Sequence, residues 1–289
     1  MSRWCSNGSP EPVPATRVSD FYRTAFVTGA STGLGHAFTG MLLADGVRVW
    51  GTSRDPKRLA ALGQAHGGAF IPVGLELTDG AQAVSVFQEQ ERAAGGFDLV
   101  INNAGYGVFG DFAGTEFGIW QQQLEVMLIN TARLSWVATR SMLERRRGAL
   151  VNVSSLAAEF PLPYQSAYNI AKAGLTALNE SLMLELEGTG IVVLDVRPGD
   201  YRTDFEGSVQ RPQSQPSPRM LRAWTAFTAM MQSGPPPAHA AASLRRALLR
   251  QRSGTVRTGR FFQAVVAPLI ARAGSLALKR RIQARYFNV

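Results

Sequence analysis

Short apolar runs of strand length alternate with stretches of helical periodicity almost to residue 200. The pattern predicts strands over Arg23–Val27, Val47–Thr52, Phe70–Leu77, Phe97–Ile101, Ala149–Val153 and Ile191–Val196. Between them it predicts helices over Gly33–Asp45, near Pro56–His66, and over Ala81–Ala94, Trp120–Glu144 and Tyr164–Glu187. Alternation of this kind implies a parallel sheet covered on both faces and joined by right-handed crossovers. No internal repeat at solenoid periods is visible.

After Pro198-Gly199 the texture changes. Arg211–Pro218 is rich in Pro, Gln and Ser and reads as loop. Met220, Trp224, Phe227 and Met231 then recur at helical spacing, and a further helix is expected from Pro235–Pro237 to about Arg252. Phe261–Leu278 is strongly apolar, but Gln263, Pro268 and Arg272 interrupt it. A buried or interfacial helix is the expectation there, rather than a membrane span.

The 289 residues, 45% hydrophobic and 18% charged, fit one large α/β domain or two small ones. A single cysteine, Cys5, excludes an intrachain disulfide and suggests a reducing, cytoplasmic setting. Three scattered histidines (His36, His66, His239) offer no metal-ligand spacing, so no metal site is expected. Residues 1–20 lack an apolar signal core, carry Pro10, Pro12 and Pro14, and read as a flexible lead-in.

Charge changes the picture more. The net charge is +9, yet from Gly207 to Val289 there are fourteen Lys/Arg and no Asp or Glu. The first 206 residues hold the remaining 16 basic and all 21 acidic side chains. The bland explanation is a solvated face with salt bridges to the acidic body. The sharper ones are an acidic partner, an anionic membrane surface or nucleic acid. Nucleic acid ranks last, for want of aromatic–basic interleaving.

Four stretches carry candidate chemistry. Thr28-Gly29-Ala30-Ser31-Thr32-Gly33-Leu34-Gly35 follows the first strand and opens the first helix. There glycines allow close approach to a pyrophosphate and the helix terminus favours its charge. The second strand ends at Ser53-Arg54, where enzymes preferring NAD place a carboxylate. Arg54 can instead fork onto a 2′-phosphate, which points to NADP(H) over NAD(H); the competing reading pairs Arg54 with Asp55. Asn102-Asn103-Ala104-Gly105 closes the fourth strand, Asn130 sits in the long helix, and Ser154-Ser155 ends the fifth strand. Finally, Tyr168 and Lys172 stand four apart, so on a helix they share a face. A neighbouring ammonium favours the phenolate and is expected to draw Tyr168 toward working pH.

The order TGxxxGxG, NNAG, Asn, Ser, YxxxK and PGxxxT (Pro198, Gly199, Thr203) resembles the short-chain dehydrogenase/reductase family in its compact one-domain branch, over about residues 23–204. The resemblance implies a single-domain, Rossmann-type, doubly wound parallel sheet of about seven strands. It would span 21–260, with a helical substrate lid at 205–235 and a basic helical extension at 261–289. It also implies Asn130, Ser155, Tyr168 and Lys172 as the catalytic tetrad. Asn130 would bend its helix and anchor a relay water, while Lys172 would hold the nicotinamide ribose. Near the cofactor it implies Gly29, Ser31, Thr32, Gly33, Leu34, Gly35, Ser53, Arg54, Glu76 and Leu77. Asn102, Asn103, Ala104, Gly105, Pro198, Gly199 and Thr203 complete that set, with Tyr168 and Lys172. Departures are Glu76 where Asp is frequent, Ala171 where Ser is common before the Lys, and Thr32 where some NADP-preferring members carry a basic residue.

The function expected is NADP-dependent interconversion of a carbonyl and a secondary alcohol on a lipophilic small molecule. Tyr106, Phe109, Phe160, Leu162, Tyr164, Phe205 and the Met220–Met231 stripe would form the apolar wall, core packing being the stripe's competing fate. The alternatives are a carrier-bound 3-ketoacyl reductase docking through the basic tail, and a non-catalytic NADP-binding regulator. A homodimer or homotetramer through the long helix and the Tyr168 helix is what the resemblance implies, with a location in the cytoplasm or peripheral to a membrane.

Overall fold

A computed structural model describes residues 16–212, 215–269 and 275–289. Seven strands form one parallel sheet in the order β3-β2-β1-β4-β5-β6-β7. They are β1 Thr24–Val27, β2 Arg48–Ser53, β3 Phe70–Gly74, β4 Leu99–Asn102, β5 Gly148–Val153, β6 Ile191–Pro198 and β7 Gly254–Thr258. The chain winds outward from β1 to β3, then returns to place β4 beside β1. That reversal opens a crevice at the strands' carboxyl ends, where ligands of such sheets bind.

Residue alternation explains the two-sided burial. Ala25 and Val27 of β1 join one core with Val49, Ile101 and Val151, against Phe38 and Leu42 of α1 (Gly33–Ala44) and Leu244 and Leu248 of α8 (Pro237–Leu249). Phe26, between them, faces the other core with Trp50, Val100 and Leu150, against Phe87, Leu134 and Ala171. These belong to α3 (Gly80–Ala94), α5 (Asn130–Arg145) and α6 (Ser166–Glu185). Successive side chains point to opposite faces, and both faces are covered, so the strands read as unbroken apolar runs.

Four departures from the sequence reading stand out. The third strand stops at Gly74; the Leu75 N–H makes the last bond to β2, at the Ser53 carbonyl (3.0 Å), and Leu75 and Leu77 are buried beyond the strand. The expected helix Trp120–Glu144 is two helices, α4 (Phe117–Leu124) and α5, joined by a π-turn over Glu125–Ile129. The strand β7 had no counterpart among the strands predicted from the apolar pattern, because it lies at the sheet's edge and Val256 is its only apolar side chain. The flexible lead-in expected over 1–20 lies outside the described residues up to position 15. Beyond that the chain is fixed: Val18 is fully buried and its N–H donates to Asp45 Oδ2 at 3.1 Å.

Candidate active site

The glycine-rich turn after β1 is held to the turn after β4. Thr28 Oγ1 accepts from the N–H groups of Asn103 (2.9 Å) and Ala104 (3.0 Å), and Asn103 Nδ2 donates to the Thr28 carbonyl at 3.0 Å. Gly29 and Gly33 adopt positive φ of 70° and 57°. A Cβ on Gly35 would lie 2.1 Å from the Gly29 carbonyl oxygen and 2.4 Å from Asn103 Nδ2, so only glycine fits this approach. The result is a helix N-terminus open to a cavity of about 1350 Å³.

Most of the expected cofactor residues line that cavity: Gly29, Ser31, Thr32, Gly33 and Leu34 from the first turn, Ser53 and Arg54 from the second, Glu76 and Leu77 from the third. Asn103, Ala104, Gly105, Pro198, Gly199 and Thr203 line it too. Gly35 and Asn102 do not. Gly35 makes room behind the turn. Asn102 points into the core, donating to Asn152 Oδ1 (2.8 Å) and Ser135 Oγ (3.1 Å). Arg54 forms no ion pair among the described residues, and Asp55 instead accepts the Lys57 N–H at 3.0 Å. Arg58 lines the same end of the cavity, a second cation that the motif reading missed. A glycine cradle and an anion-favouring helix terminus fit the pyrophosphate of a nicotinamide dinucleotide, with two cations past β2 at the adenosine end.

Ser155, Tyr168 and Lys172 meet on the opposite wall. Ser155 lies two residues past β5 and caps the next turn, its Oγ accepting the Ala157 N–H at 3.0 Å. Lys172 is buried, donates from Nζ to the Val153 carbonyl at 2.7 Å, and lies 5.6 Å from the centre of the Tyr168 ring. Tyr168 is pushed up to about 12, first by burial, against a hydrogen bond with Ser155 that lowers it; the Asp200 charge raises it further. This is opposite in direction to the sequence expectation. Lys172 is itself brought down to about 8 by burial, with Asp195 opposing, and desolvation outweighs its pull on the phenol.

Asn130 does not line the cavity. It is buried behind the wall, at the end of the π-turn, where its N–H bonds the Glu125 carbonyl five residues back. Its Nδ2 donates to the Leu77 carbonyl at 2.8 Å, tying the bend to a cavity-lining segment. The local bend that the resemblance implied at Asn130 is this π-turn.

The family pattern described as short chain dehydrogenase matches residues 23–214. This chain belongs to the short-chain dehydrogenase family. It is 37% identical over 198 residues to an uncharacterized oxidoreductase of Myxococcus xanthus, covering 66% of this chain and 77% of that protein. It is 31% identical over 191 residues to the 3-oxoacyl-(acyl-carrier-protein) reductase of Escherichia coli, covering 66% and 78%. A short chain dehydrogenase of Pseudocercospora fijiensis is 33% identical over 63% of this chain, a match spanning 61% of that protein's length. Among solved structures, a short-chain dehydrogenase from Streptomyces avermitilis superposes with a TM-score of 0.80, at 28% identity over 93% of this chain and 98% of its own. Two more distant structures share the fold. One, from Burkholderia phymatum in complex with NAD, has TM-score 0.74 and 24% identity over 90% and 92%. The other, an alcohol dehydrogenase from Thermococcus sibiricus complexed with 5-hydroxy-NADP, has TM-score 0.66 and 23% identity over 81% and 94%. The chain is thus an oxidoreductase of alcohol and carbonyl groups.

The rest of the dehydrogenase's cavity wall mixes an apolar patch with polar side chains such as Gln122, Asp204, Ser208 and Gln210. Tyr106, Phe160, Leu162, Phe205, Phe227 and Met231 line it. Phe109, Tyr164, Met220 and Trp224 do not; they pack with Phe227 and Met231 into a cluster around α7 (Pro218–Gln232). Both fates expected for the stripe are therefore realised, two of its four residues reaching the cavity.

The carboxyl-terminal segment also belongs to this wall, which the sequence did not signal. Gln263 Nε2 donates to Asp200 Oδ2 and, at 2.9 Å, to Tyr286 Oη, which itself donates to Asp200 at 3.3 Å. Gln283 Nε2 donates to the Pro161 carbonyl at 3.0 Å, and Lys279 Nζ sits 5.1 Å from the Phe160 ring centre. Burial raises the Asp200 pKa against these hydrogen bonds and the Arg260 charge. Gln263, a polar break in an apolar run, was the available hint. Of the tail's basic residues among the described positions, Arg245 and Arg257 make ion pairs, with Asp45 (2.7 Å) and Glu159 (2.8 Å).

Proposed function

We propose that this dehydrogenase reduces a lipophilic ketone or aldehyde to the alcohol with NADPH. One observation carries the reading. Ser155, Tyr168 and Lys172 share a wall of a cavity that runs from Arg54 and Arg58 at one end to an apolar chamber at the other. Cations past β2 favour the 2′-phosphate of NADP, and the aromatic and aliphatic patch of Phe160, Leu162, Phe205, Phe227 and Met231, beside Asp200, Asp204 and Lys279, favours a bulky, largely apolar substrate.

When bound, the reduced dinucleotide supplies a hydride to the carbonyl carbon. The protein's own groups handle the oxygen. Tyr168 Oη gives its proton to the nascent alkoxide, and Ser155 Oγ hydrogen-bonds the oxygen on which charge develops. Lys172, with a pKa of about 8, sits where it can exchange protons near neutrality and hold positive charge close to the phenol. Asn130 fixes the bend that places this wall, through Leu77.

The discriminating experiment is NADPH consumption against a panel of apolar ketones, with NADH as the control. Faster turnover of small charged keto acids, or a preference for NADH, would overturn the reading. A second reading, a reductase of carrier-bound 3-ketoacyl groups, is favoured by the resemblance to the E. coli enzyme of that description. It predicts that an acyl-carrier thioester outcompetes the free ketone in the same assay. A purely regulatory, non-catalytic role predicts no turnover with any carbonyl. We further infer a homodimer through α5 and α6, whose outer faces expose Trp136, Leu143 and Ile170.

A further inference from the structure

We propose that the carboxyl-terminal segment seats the cavity mouth on an anionic lipid bilayer, from which the apolar substrate enters. The proposal rests on the lipophilic-substrate reading above, and adds where that substrate is met.

Two helical stretches frame the mouth. In the first, Phe262, Gln263 and Ala267 line the cavity. Phe261, Val265 and Leu269, spaced four apart, are exposed instead, Phe261 by 74% and Leu269 by 61%. In the second, Leu276–Tyr286, Leu278 and Ile282 line the cavity, while Leu276 is 62% exposed and shares a face with Arg280 four residues on. The same short elements thus present apolar side chains both to the cavity and to the outside.

Charge selects the occupant. Arg280, Arg281 and Arg285 are exposed on the second helix, whereas Lys279 turns to the cavity, and no acid occurs anywhere from Gly207 onward. None of the three arginines is in an ion pair among the described residues. An apolar stripe beside unpaired cations matches the interfacial zone of an anionic bilayer, which answers both at once. An acidic carrier protein would use the cations and leave the stripe in water. A second copy would bring like charges together. No described helix is long and apolar enough to cross a membrane, so the segment would lie on the surface.

The test uses the full chain and sedimentation with vesicles of phosphatidylcholine, alone or mixed with phosphatidylserine. The wild type is expected to sediment with the mixed vesicles and not with the neutral ones. Arg280→Gln with Arg281→Gln should weaken this by about tenfold, a charge effect also produced by high salt. Phe261→Ser with Leu269→Ser should weaken it at low salt as well. Both variants should keep wild-type turnover of a small water-soluble ketone, which shows that they fold, and lose turnover of a ketone dissolved in the mixed vesicles. Absence of wild-type sedimentation overturns the proposal. So does a serine variant that alters only oligomeric size, which assigns the stripe to a second copy. Retention on immobilised acyl carrier protein without vesicle binding assigns the cations to a protein and overturns it equally. If vesicles bind but only small charged ketones react, the docking stands and the lipophilic-substrate reading falls.

Discussion

Gly80 and Asn130 are locked together: a Cβ on Gly80 would lie 2.0 Å from Asn130 Oδ1. The first residue of α3 therefore leaves the space in which Asn130 reaches the Leu77 carbonyl. Gly80→Ala must push Asn130 aside, with an overpacking cost of about 1–3 kcal/mol. Turnover should fall with it, because the bend beneath the catalytic wall moves. Gly118→Ala, at a helical glycine with open space around it, is the control and should cost nothing. Calorimetry and steady-state kinetics on both variants check this; an undisturbed Gly80→Ala enzyme contradicts it.

Tyr168→Phe removes the proposed proton donor without changing the ring that packs edge-on to Phe205 at 6.0 Å. Turnover should drop at least about a hundredfold while NADPH still binds, as read by quenching of the protein's own fluorescence. Equal losses of binding and turnover would instead place Tyr168 in cofactor recognition alone.

Lys172 gives stability a window in pH. Its folded pKa of about 8 lies below the ordinary 10.5, so between those values the unfolded chain holds a proton that the folded one has released. Stability from this group rises as pH climbs from about 8 to 10.5, and is lost as pH falls back through 8. Lys172→Met should remove that rise, measured as the difference in urea midpoints between pH 7.5 and pH 10. Above pH 10 the trend reverses, since Tyr168, Tyr22, Tyr201 and Tyr286 are all pushed up to about 12 and keep their protons longer when folded. The tyrosines overlap one another, so the lower window is the diagnostic one.

Arg54→Ala with Arg58→Ala should raise KM for NADPH by about tenfold and leave KM for NADH nearly unchanged. The loss is that of charge-assisted contacts to one phosphate. Parallel rises for both dinucleotides would mean that these arginines do not read the 2′-phosphate.

Arg197 stands on β6 with its side chain 5% exposed, and meets Asp195 (2.7 Å), Glu159 (2.7 Å) and Glu180 (2.8 Å). Asp195 is fully buried and also accepts the Ser154 hydroxyl at 2.5 Å, one residue before Ser155. Arg197→Met leaves that carboxylate without its cation and should cost about 3–5 kcal/mol, measured by denaturant unfolding. A loss below about 1 kcal/mol would show that Ser154 and solvent suffice.

How far the sequence reached differs residue by residue. Tyr168 and Lys172 were legible because α-helical periodicity alone puts them on one face, and Gly29 and Gly33 because only glycine settles readily at positive φ before a helix. Asn102 misled because a strand end offers two faces, and its amide was drawn inward to Asn152 and Ser135. Burial could not be read at all: a four-residue spacing says that ammonium and phenol are neighbours, but not that desolvation moves both pKa values away from charge.

The linear chain by itself determined the alternating architecture, the cradle and the pairing of Tyr168 with Lys172 on one face, since these follow from local periodicity and from residues with narrow conformational roles. Only the tertiary structure decided that Arg58 joins Arg54, that Asp200 is gripped by Gln263 and Tyr286, and that the basic tail folds back to wall the cavity. Those contacts join positions tens of residues apart, and no local pattern encodes which distant side chain will close a hydrogen bond or cover an apolar chamber. Packing makes that choice.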